Sequence, residues 1–197
     1  MNPDITRLLE LQKLLAAFNQ VERVTHRKHG HEYVKENDTE HSYNLAITAW
    51  FLAQSFPDLD LQLLLKYSLV HDLVEVYAGD TYIYGDDADL QSKPQREADA
   101  LARLENEWDD FDEMILAIKD YENKANAEAR FVYALDKVMP IMLIYIHDGY
   151  TWKQEDVTAA MLYTAKRDKV ALSPEIMPYF ESIYNLLLSN PELIRKT

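Results

Sequence analysis

The sequence predicts an all-α fold, with about seven or eight helices forming one bundle in a single domain over residues 1–197. Hydrophobic residues make up 48% of the chain, which is enough to build a core. Only 4 glycines are present, and no segment alternates apolar and polar side chains for long, as a half-buried strand would. Apolar residues recur instead at the three- and four-residue spacing that is typical of helices.

The first half of the chain predicts three helices and one long loop. Asp38 or Thr39 is expected to cap the second helix, since both side chains accept backbone hydrogen bonds at helix starts. Asp58 or Asp60 is expected to cap the third helix in the same way, and Gly79 ends it. The predicted helices cover residues 3–20, 38–56 and 58–78, and the polar residues 21–38 are predicted to form the loop.

The second half of the chain predicts another loop, over the polar residues 80–92, and five more helices. Lys93 and Arg96 open the first of these helices. They are predicted to be solvated there, because a positive charge opposes the helix dipole in a first turn. Pro140 is expected to kink the third of them. The five predicted helices cover residues 92–108, 110–121, 126–148, 154–168 and 174–189.

Composition and charge exclude several classes of function. Acidic residues outnumber basic ones by 34 to 20, which gives a net charge of −14. Such a surface repels a phosphate backbone, so we expect no nucleic-acid partner. The absence of cysteine excludes disulfides, cysteine metal sites and thiol catalysis. No signal peptide opens the chain and no apolar run is long enough to span a bilayer, so a cytoplasmic protein with no membrane partner is expected.

Four polar side chains occur where their helices should face the core. Charged groups are costly to bury unless they are paired or bound to a metal, so one shared cation would explain all four. Imidazole and carboxylate ligands suit Mn, Fe, Co, Ni or Zn, and carboxylates also bind Mg, so we expect one divalent ion. The candidate ligands are His41 in the second predicted helix, His71 and Asp72 in the third, and Asp136 in the sixth.

Two further carboxylates follow in the third predicted helix. Glu75 comes four residues after His71, so the two side chains are expected to share one helix face. Glu75 could position or deprotonate a metal-bound water, or protonate a leaving oxygen. Asp80 follows Gly79 on a turn, from which it could reach the same water or a sugar hydroxyl.

Three segments of the chain resemble the HD-domain metal-dependent phosphohydrolases, and most closely their short 5′-deoxynucleotidase-like branch. They are EHSYNLA (40–46), LVHDLVEVYAGD (69–80) and EARFVYALDKV (128–138). The resemblance covers about residues 8–140, whereas residues 149–197 match only as helices. It implies metal ligation by His41, His71, Asp72 and Asp136, catalytic or substrate-contacting roles for Glu75 and Asp80, and a homodimer. The apolar helices after Asp136 could supply the dimer interface.

The resemblance also implies an arginine after the first helix that binds phosphate. Arg23 is the best match and Arg27 the second. The chain departs from the family pattern here, because the segment from Arg23 to His41 is longer than usual and Val24 stands where some relatives have an aromatic residue. The histidine-rich tract 26–31 could form a second metal site, a basic lip over the pocket or an exposed loop.

These observations favour a phosphomonoesterase that hydrolyses nucleoside or deoxynucleoside 5′-monophosphates. Two alternatives stay open. The same site could hydrolyse another nucleotide, such as a triphosphate, a cyclic nucleotide or an alarmone. The domain could also bind a metal or nucleotide without turnover, as a sensor module, although structural ligation would require neither Glu75 nor Asp80.

Overall fold

The computed structural model describes residues 5–195, which are mainly helical, and the predicted all-α class is confirmed. The predicted helix start at Pro3 lies outside the described residues. The α-helices are α1 (Ile5–Phe18), α2 (Asp38–Ala53), α3 (Leu61–Val70), α4 (Glu75–Ala78), α5 (Asp87–Glu107), α6 (Asp112–Glu122), α7 (Ala127–Ile146), α8 (Tyr150–Gln154), α9 (Ala159–Val170) and α10 (Met177–Ser189). Two strands, β1 (Glu22–His29) and β2 (Glu32–Asn37), separate α1 from α2, and a 3₁₀ turn (Pro191–Leu193) follows α10.

Caps on α2 and α3 fix where these two helices begin. The Asn37 side chain accepts a hydrogen bond from the N–H of Glu40, and the Glu40 side chain accepts one from the N–H of Asn37. This capping box makes Asn37 the cap, so the prediction of Asp38 or Thr39 is wrong by one or two positions. Asp38 is instead the first helical residue and is fully buried. Asp60 caps α3 as predicted, because its side chain accepts backbone hydrogen bonds from the first turn.

The loop predicted over residues 21–38 is wrong, because these residues form an antiparallel hairpin. The pairing runs from His29 opposite Glu32 to Glu22 opposite Asn37. Polar side chains occupy both faces of the hairpin, so the period-two pattern that signals a strand is missing.

Contacts with the segment around α8 hold the hairpin in place. The ring of Tyr33 stacks on that of Tyr150, with 3.9 Å between the ring centroids. The hydroxyl of Tyr33 donates to Asp148 Oδ2 at 2.9 Å, and the backbone N–H of His26 donates to Thr151 Oγ1 at 2.8 Å. An isolated two-stranded hairpin is only marginally stable in water, so these contacts supply what the strands lack.

The predicted helix over residues 58–78 is interrupted at residues 71–74, which form a turn between α3 and α4. The N–H of Glu75 donates to the carbonyl oxygen of Asp72, three residues back, at 2.8 Å. Bonds of this 3₁₀ type tighten the turn and bring side chains at i and i+3 into line. The expectation that His71 and Glu75 share one face of a regular helix is therefore wrong. Asp72 and Glu75, three residues apart, lie on the same side of the turn instead.

Helix α5 begins earlier than the sequence predicted. Asp86 caps it by accepting a hydrogen bond from the N–H of Asp89 at 2.8 Å, so Pro94 lies inside the helix instead of opening it. The predicted solvated first turn at Lys93 is wrong as well, because Lys93 lies further along α5 and lines the cavity described below.

The helix predicted over residues 154–168 begins later, as α9, and the short helix α8 precedes it where no helix was predicted. Gly149 precedes α8 with φ +66°, and a Cβ added there would lie 1.8 Å from the carbonyl oxygen of Leu193, so this turn requires glycine. Thr158 caps α9 by accepting a hydrogen bond from its first turn. Helix α7 continues through Pro140 without ending.

Helix α7 is the central element of the larger core. Helices α2, α3, α6, α9 and α10 all pack against it. Its buried residues include Phe131, Leu135 and Val138, which lie in one cluster with Leu45 of α2 and Leu64 of α3. A second cluster joins α1, α4, α5 and α6 through Leu14, Ala78, Leu104 and Ile118. Among residues 5–195, no helix combines the length and apolar composition needed to cross a bilayer.

Candidate metal centre and active site

A bulge in β1 directs Arg23 into a cavity. The strand pairing is irregular between Glu22 and His26, where residues 23–25 face the single residue Glu36 of β2. Side chains alternate between the two faces of a regular strand, yet all three residues 23–25 line the same cavity. Bulges bend a strand and re-aim its side chains, so this one accounts for the inward direction of Arg23.

His41 is held between two buried carboxylates. Its Nε2 lies 2.9 Å from Asp136 Oδ1, and its Nδ1 lies 3.6 Å from Glu36 Oε2. Burial alone would lower the pKa of His41, but Asp136 and Glu36 outweigh it and raise the pKa to about 9. The carboxylates therefore create a local negative potential that favours positive charge at this position.

His71 presents a free nitrogen to the same point. Its Nδ1 lies 3.0 Å from the carbonyl oxygen of Ser68, an acceptor, so the ring proton sits on Nδ1. The other nitrogen, Nε2, lies 3.0 Å from Asp72 Oδ2 and 3.8 Å from Asp136 Oδ1. It is buried and makes no hydrogen bond within residues 5–195. A carbonyl partner on one ring nitrogen is the usual support for metal binding by the other.

Asp136 interrupts the apolar face of α7, as the sequence predicted, and is buried. Its Oδ1 faces His41, while its Oδ2 accepts hydrogen bonds from Lys137 Nζ at 2.5 Å and from the Tyr121 hydroxyl at 3.4 Å. Burial would raise the pKa of Asp136, but Lys137 and His41 lower it well below its usual range. The carboxyl group is therefore ionised.

The four predicted ligands converge on one point. His41, His71, Asp72 and Asp136 each offer one ligand atom, and these atoms all lie within 4.8 Å of one another. The unpaired Nε2 of His71 and the mixture of imidazole and carboxylate donors fit a first-row divalent ion. Elsewhere in the part of the chain that the structure describes, the histidines of tract 26–31 join no such cluster.

Glu75 lies beside the four candidate ligands, in a second group of carboxylates that shares Asp72 with the first. Asp38, Asp72 and Glu75 form a second group whose oxygens lie within 4.8 Å of one another. One carboxylate oxygen of Asp38 and one of Glu75 are buried without a hydrogen-bond partner among residues 5–195. Burial, and next the charge of Asp72, raise the pKa of Asp38 to about 6 and that of Glu75 well above its ordinary value. Glu75 therefore keeps its proton to a higher pH than an exposed glutamate does.

Asp80 lines the cavity on the turn that follows α4. Arg96 of α5 holds this turn on both sides of Asp80, because it donates to the carbonyl oxygen of Ala78 at 2.5 Å and to Thr81 Oγ1 at 2.8 Å. The prediction of a solvated Arg96 is therefore wrong. The side chain ties α5 to the turn and limits the positions that Asp80 can take.

The two candidate arginines occupy different places. Arg23 Nη1 donates to Asp72 Oδ2 at 2.7 Å and to Asp38 Oδ1 at 3.1 Å, within the cavity. Its Nη2 donates no hydrogen bond to any of the described residues. Arg27 instead forms an ion pair with Glu40 outside the cavity lining. The structure thus brings Arg23 to the site and does not bring Arg27.

The cavity has a volume of about 230 Å³ and is lined by β1, by the segment from Asp72 to Lys93, and by α7, α8 and α9. Its polar lining includes Arg23 and four carboxylates, Asp72, Glu75, Asp80 and Asp136. Apolar side chains complete the lining. They include Ile141 and Ile144 of α7, Trp152 of α8 and Leu162 of α9, with Tyr82 and Tyr84 from the loop before α5.

Sequence reasoning missed several residues of this site. Glu36 could not be placed because the hairpin was not predicted, and Asp38 was interpreted only as a helix cap. For Lys137 the sequence did offer a signal, because this lysine directly follows the candidate ligand Asp136 in the segment ALDKV. Lys166 and Lys169 also line the cavity, and nothing in the local sequence of α9 distinguishes them from solvated lysines.

Comparisons with known proteins agree with this arrangement. The model of an HD domain matches residues 16–177 of the chain. The structure is similar to the crystal structure of a predicted metal-dependent phosphohydrolase from Magnetospirillum magnetotacticum MS-1, with a TM-score of 0.79 and 28% sequence identity. That alignment covers 99% of this chain and 100% of the other. No curated protein sequence matches the chain. The chain therefore belongs to the HD-domain phosphohydrolase superfamily.

Proposed function

We propose that this protein is a metal-dependent phosphomonoesterase that hydrolyses nucleoside or deoxynucleoside 5′-monophosphates to nucleoside and phosphate. Membership of the superfamily supports metal-dependent phosphohydrolysis. The observation that carries the proposal is the convergence of two imidazoles and two carboxylates beside Arg23 and Glu75, in a cavity large enough for a small molecule. Its apolar and aromatic lining suits a nucleoside rather than a bare phosphate.

His41, His71, Asp72 and Asp136 would hold one divalent ion of the Mn, Fe, Co, Ni, Zn or Mg type. Such an ion lowers the pKa of a bound water and offsets negative charge on a phosphoryl group. The remaining steps belong to side chains of the chain itself. Arg23 binds a phosphate oxygen through its uncommitted Nη2, while Asp38 and Asp72 fix the guanidinium.

Glu75 is proposed as the proton donor. Water attacks phosphorus, the phosphorus–oxygen ester bond breaks, and the leaving oxygen takes the proton of Glu75 to become the sugar hydroxyl. The proton that the attacking water loses passes to the solvent, from which Glu75 is reprotonated. Burial raises the pKa of the Glu75 carboxyl group, which favours the role of proton donor over removal of a proton from water. Asp80 is proposed to orient either the attacking water or the sugar hydroxyl.

A screen of ribo- and deoxynucleoside monophosphates with each candidate metal tests this function. We expect phosphate release that needs added metal and that a chelator abolishes. Asp72→Asn should lower kcat/KM by about 100-fold or more and reduce the metal content of the purified protein. Asp58→Asn, at an exposed position outside the site, is the matched control.

Two results would contradict the proposal. One is full metal-dependent activity in Asp72→Asn, and the other is no phosphate release from any monoester with any of the metals. Release of pyrophosphate or triphosphate would instead identify a nucleoside triphosphate as the substrate. Tight nucleotide binding without turnover would indicate a sensor.

We further propose that the protein forms a homodimer and lies in the cytoplasm. The resemblance of its motifs to the family supports the first proposal, and the lack of cysteine is compatible with the second. Cell fractionation tests the location: recovery with the membranes or outside the cell would contradict it.

A further inference from the structure

Four lysines from three helices also line this cavity. They are Lys93 of α5, Lys137 of α7, and Lys166 and Lys169 of α9. The last two are three residues apart on one helix, so their side chains share a face. Helix α9 packs against α7, the helix that carries Asp136.

Two of these lysines have no carboxylate partner. Lys93 pairs with Glu97 at 3.1 Å, and Lys137 pairs with Asp136. Lys166 and Lys169 make neither an ion pair nor a hydrogen bond with any residue in the described range 5–195, although both are partly buried. Carboxylates are abundant in a chain with 34 acidic and 20 basic residues, so two unmatched lysines in a cavity are unexpected.

The environment of these two lysines is repulsive. Burial, followed by the charge of Lys137, lowers the pKa of both Lys166 and Lys169. The position of Lys169 in the last turn of α9 suits the helix dipole, but the dipole does not explain why the side chain lines the cavity. An anion placed among the lysines would remove the repulsion and satisfy their donors.

We propose that Lys166 and Lys169 bind a second anionic group of the substrate. The substrate is then a phosphate monoester whose leaving group itself carries a phosphate or a carboxylate. This inference rests on the proposed function, in which the candidate metal ligands and Arg23 take the phosphate that is hydrolysed. Lys137 borders the candidate ligands, since its ammonium group contacts Asp136.

Two pairs of substrates test the inference, because the members of each pair differ by one anionic group. Adenosine 5′-monophosphate is compared with adenosine 3′,5′-bisphosphate, and glycerol 3-phosphate with 3-phosphoglycerate. We expect the wild-type protein to prefer the doubly anionic member of at least one pair by about tenfold or more in kcat/KM, mainly through KM. The pair that shows the preference identifies the second group as phosphate or carboxylate.

The double variant Lys166→Met/Lys169→Met should lose this preference and keep its activity on the singly charged substrates. Arg167→Met is the matched control, because Arg167 lies between the two lysines in sequence but is exposed and pairs with Asp168. It should keep the preference. Equal thermal unfolding temperatures for the three proteins establish that the variants are folded.

Calorimetric titration in chelator separates this inference from the proposed function. Without metal, adenosine 3′,5′-bisphosphate should still bind more tightly to the wild-type protein than to the double variant, by about tenfold or more. If the double variant loses the same affinity for the singly and the doubly charged substrate, the inference is overturned, since the lysines would then hold the hydrolysed phosphate. Unchanged binding of the bisphosphate would overturn it too. No turnover of any substrate would overturn the proposed function, while the titration would still decide the role of the lysines.

Discussion

One ring, that of His71, shows how much a single side chain contributes to the site. Its Nδ1 is committed to a carbonyl of the preceding turn, so Nε2 is the nitrogen that faces Asp72 and Asp136. An imidazole held in this orientation can offer Nε2 to a cation without turning its ring. The presence of a histidine in an apolar helix predicted a candidate ligand, and the backbone around it decides which nitrogen faces the other candidates.

Arg23 and Arg27 allow a direct comparison, because they lie on the same strand and only Arg23 reaches the cavity. We expect Arg23→Lys to lower kcat/KM by about 10- to 100-fold, since an ammonium group cannot hold Asp38, Asp72 and a phosphate oxygen in one plane. Arg27→Lys should have little effect. Steady-state kinetics on the best monophosphate checks both variants, and a larger loss for Arg27→Lys would reverse the assignment.

Lys166 should make stability depend on pH. Burial and the charge of Lys137 lower its pKa from 10.5 to about 7 in the folded protein. Between these two values the unfolded chain binds more protons than the folded chain, so the free energy of unfolding increases as pH rises through this window. Lys166→Met should remove about 1 kcal/mol or more of that increase, a discounted figure because the side chain is partly exposed to water.

Urea unfolding in chelator at pH 7 and pH 9 measures this effect. Lys13→Met, at an exposed position on α1, is the control and should unfold with the pH dependence of the wild-type protein. A Lys166→Met variant that keeps the wild-type pH dependence would show that Lys166 stays charged in the folded state.

Two short irregular segments, a turn and a strand bulge, position the side chains of the candidate site. The 3₁₀ turn at residues 71–74 aligns Asp72 with Glu75, so one carboxylate can serve both the metal-binding set and the neighbouring acid. The bulge at residues 23–25 turns Arg23 toward the same point. Helical periodicity predicted the elements on either side of the first irregularity but not the break itself.

Arg96 connects α5 to the turn that carries Asp80, and we expect Arg96→Ala to lower kcat about tenfold by loosening that turn. Arg103→Ala on the same helix is the control, because Arg103 pairs with Glu107 away from the cavity. Kinetics and thermal unfolding should be measured together. Wild-type kcat in Arg96→Ala would contradict a positioning role, and an unfolded variant would indicate a purely structural one.

An uncharged strip on α2 is the surface that we propose for the homodimer. The chain has no charged residue from 42 to 57, and Tyr43, Ile47, Trp50 and Phe51 are 45–69% exposed at helical spacing. Two copies that each carry a net charge of −14 repel one another, so an uncharged contact is the favourable one. Exposed apolar patches of this kind mark interaction sites.

Trp50→Glu should convert the dimer to a monomer in light scattering. Leu186→Glu, at an exposed position of α10, tests the interface that the sequence suggested after Asp136 and should leave the dimer intact. Dissociation by Leu186→Glu alone would move the interface to the C-terminal helices. A monomeric wild-type protein would contradict the dimer itself.

The sequence by itself determined the helical class, most helix positions and the four candidate ligands, because periodicity and buried charge are local signals. It did not reveal the hairpin, whose strands lack a period-two pattern and depend on Tyr150 and Thr151, more than 100 residues away. It also left Lys166 and Lys169 unassigned. A lysine at a given helical position is the same in sequence whether it faces water or a cavity, and the packing of α9 in the folded chain decides that these two line the cavity.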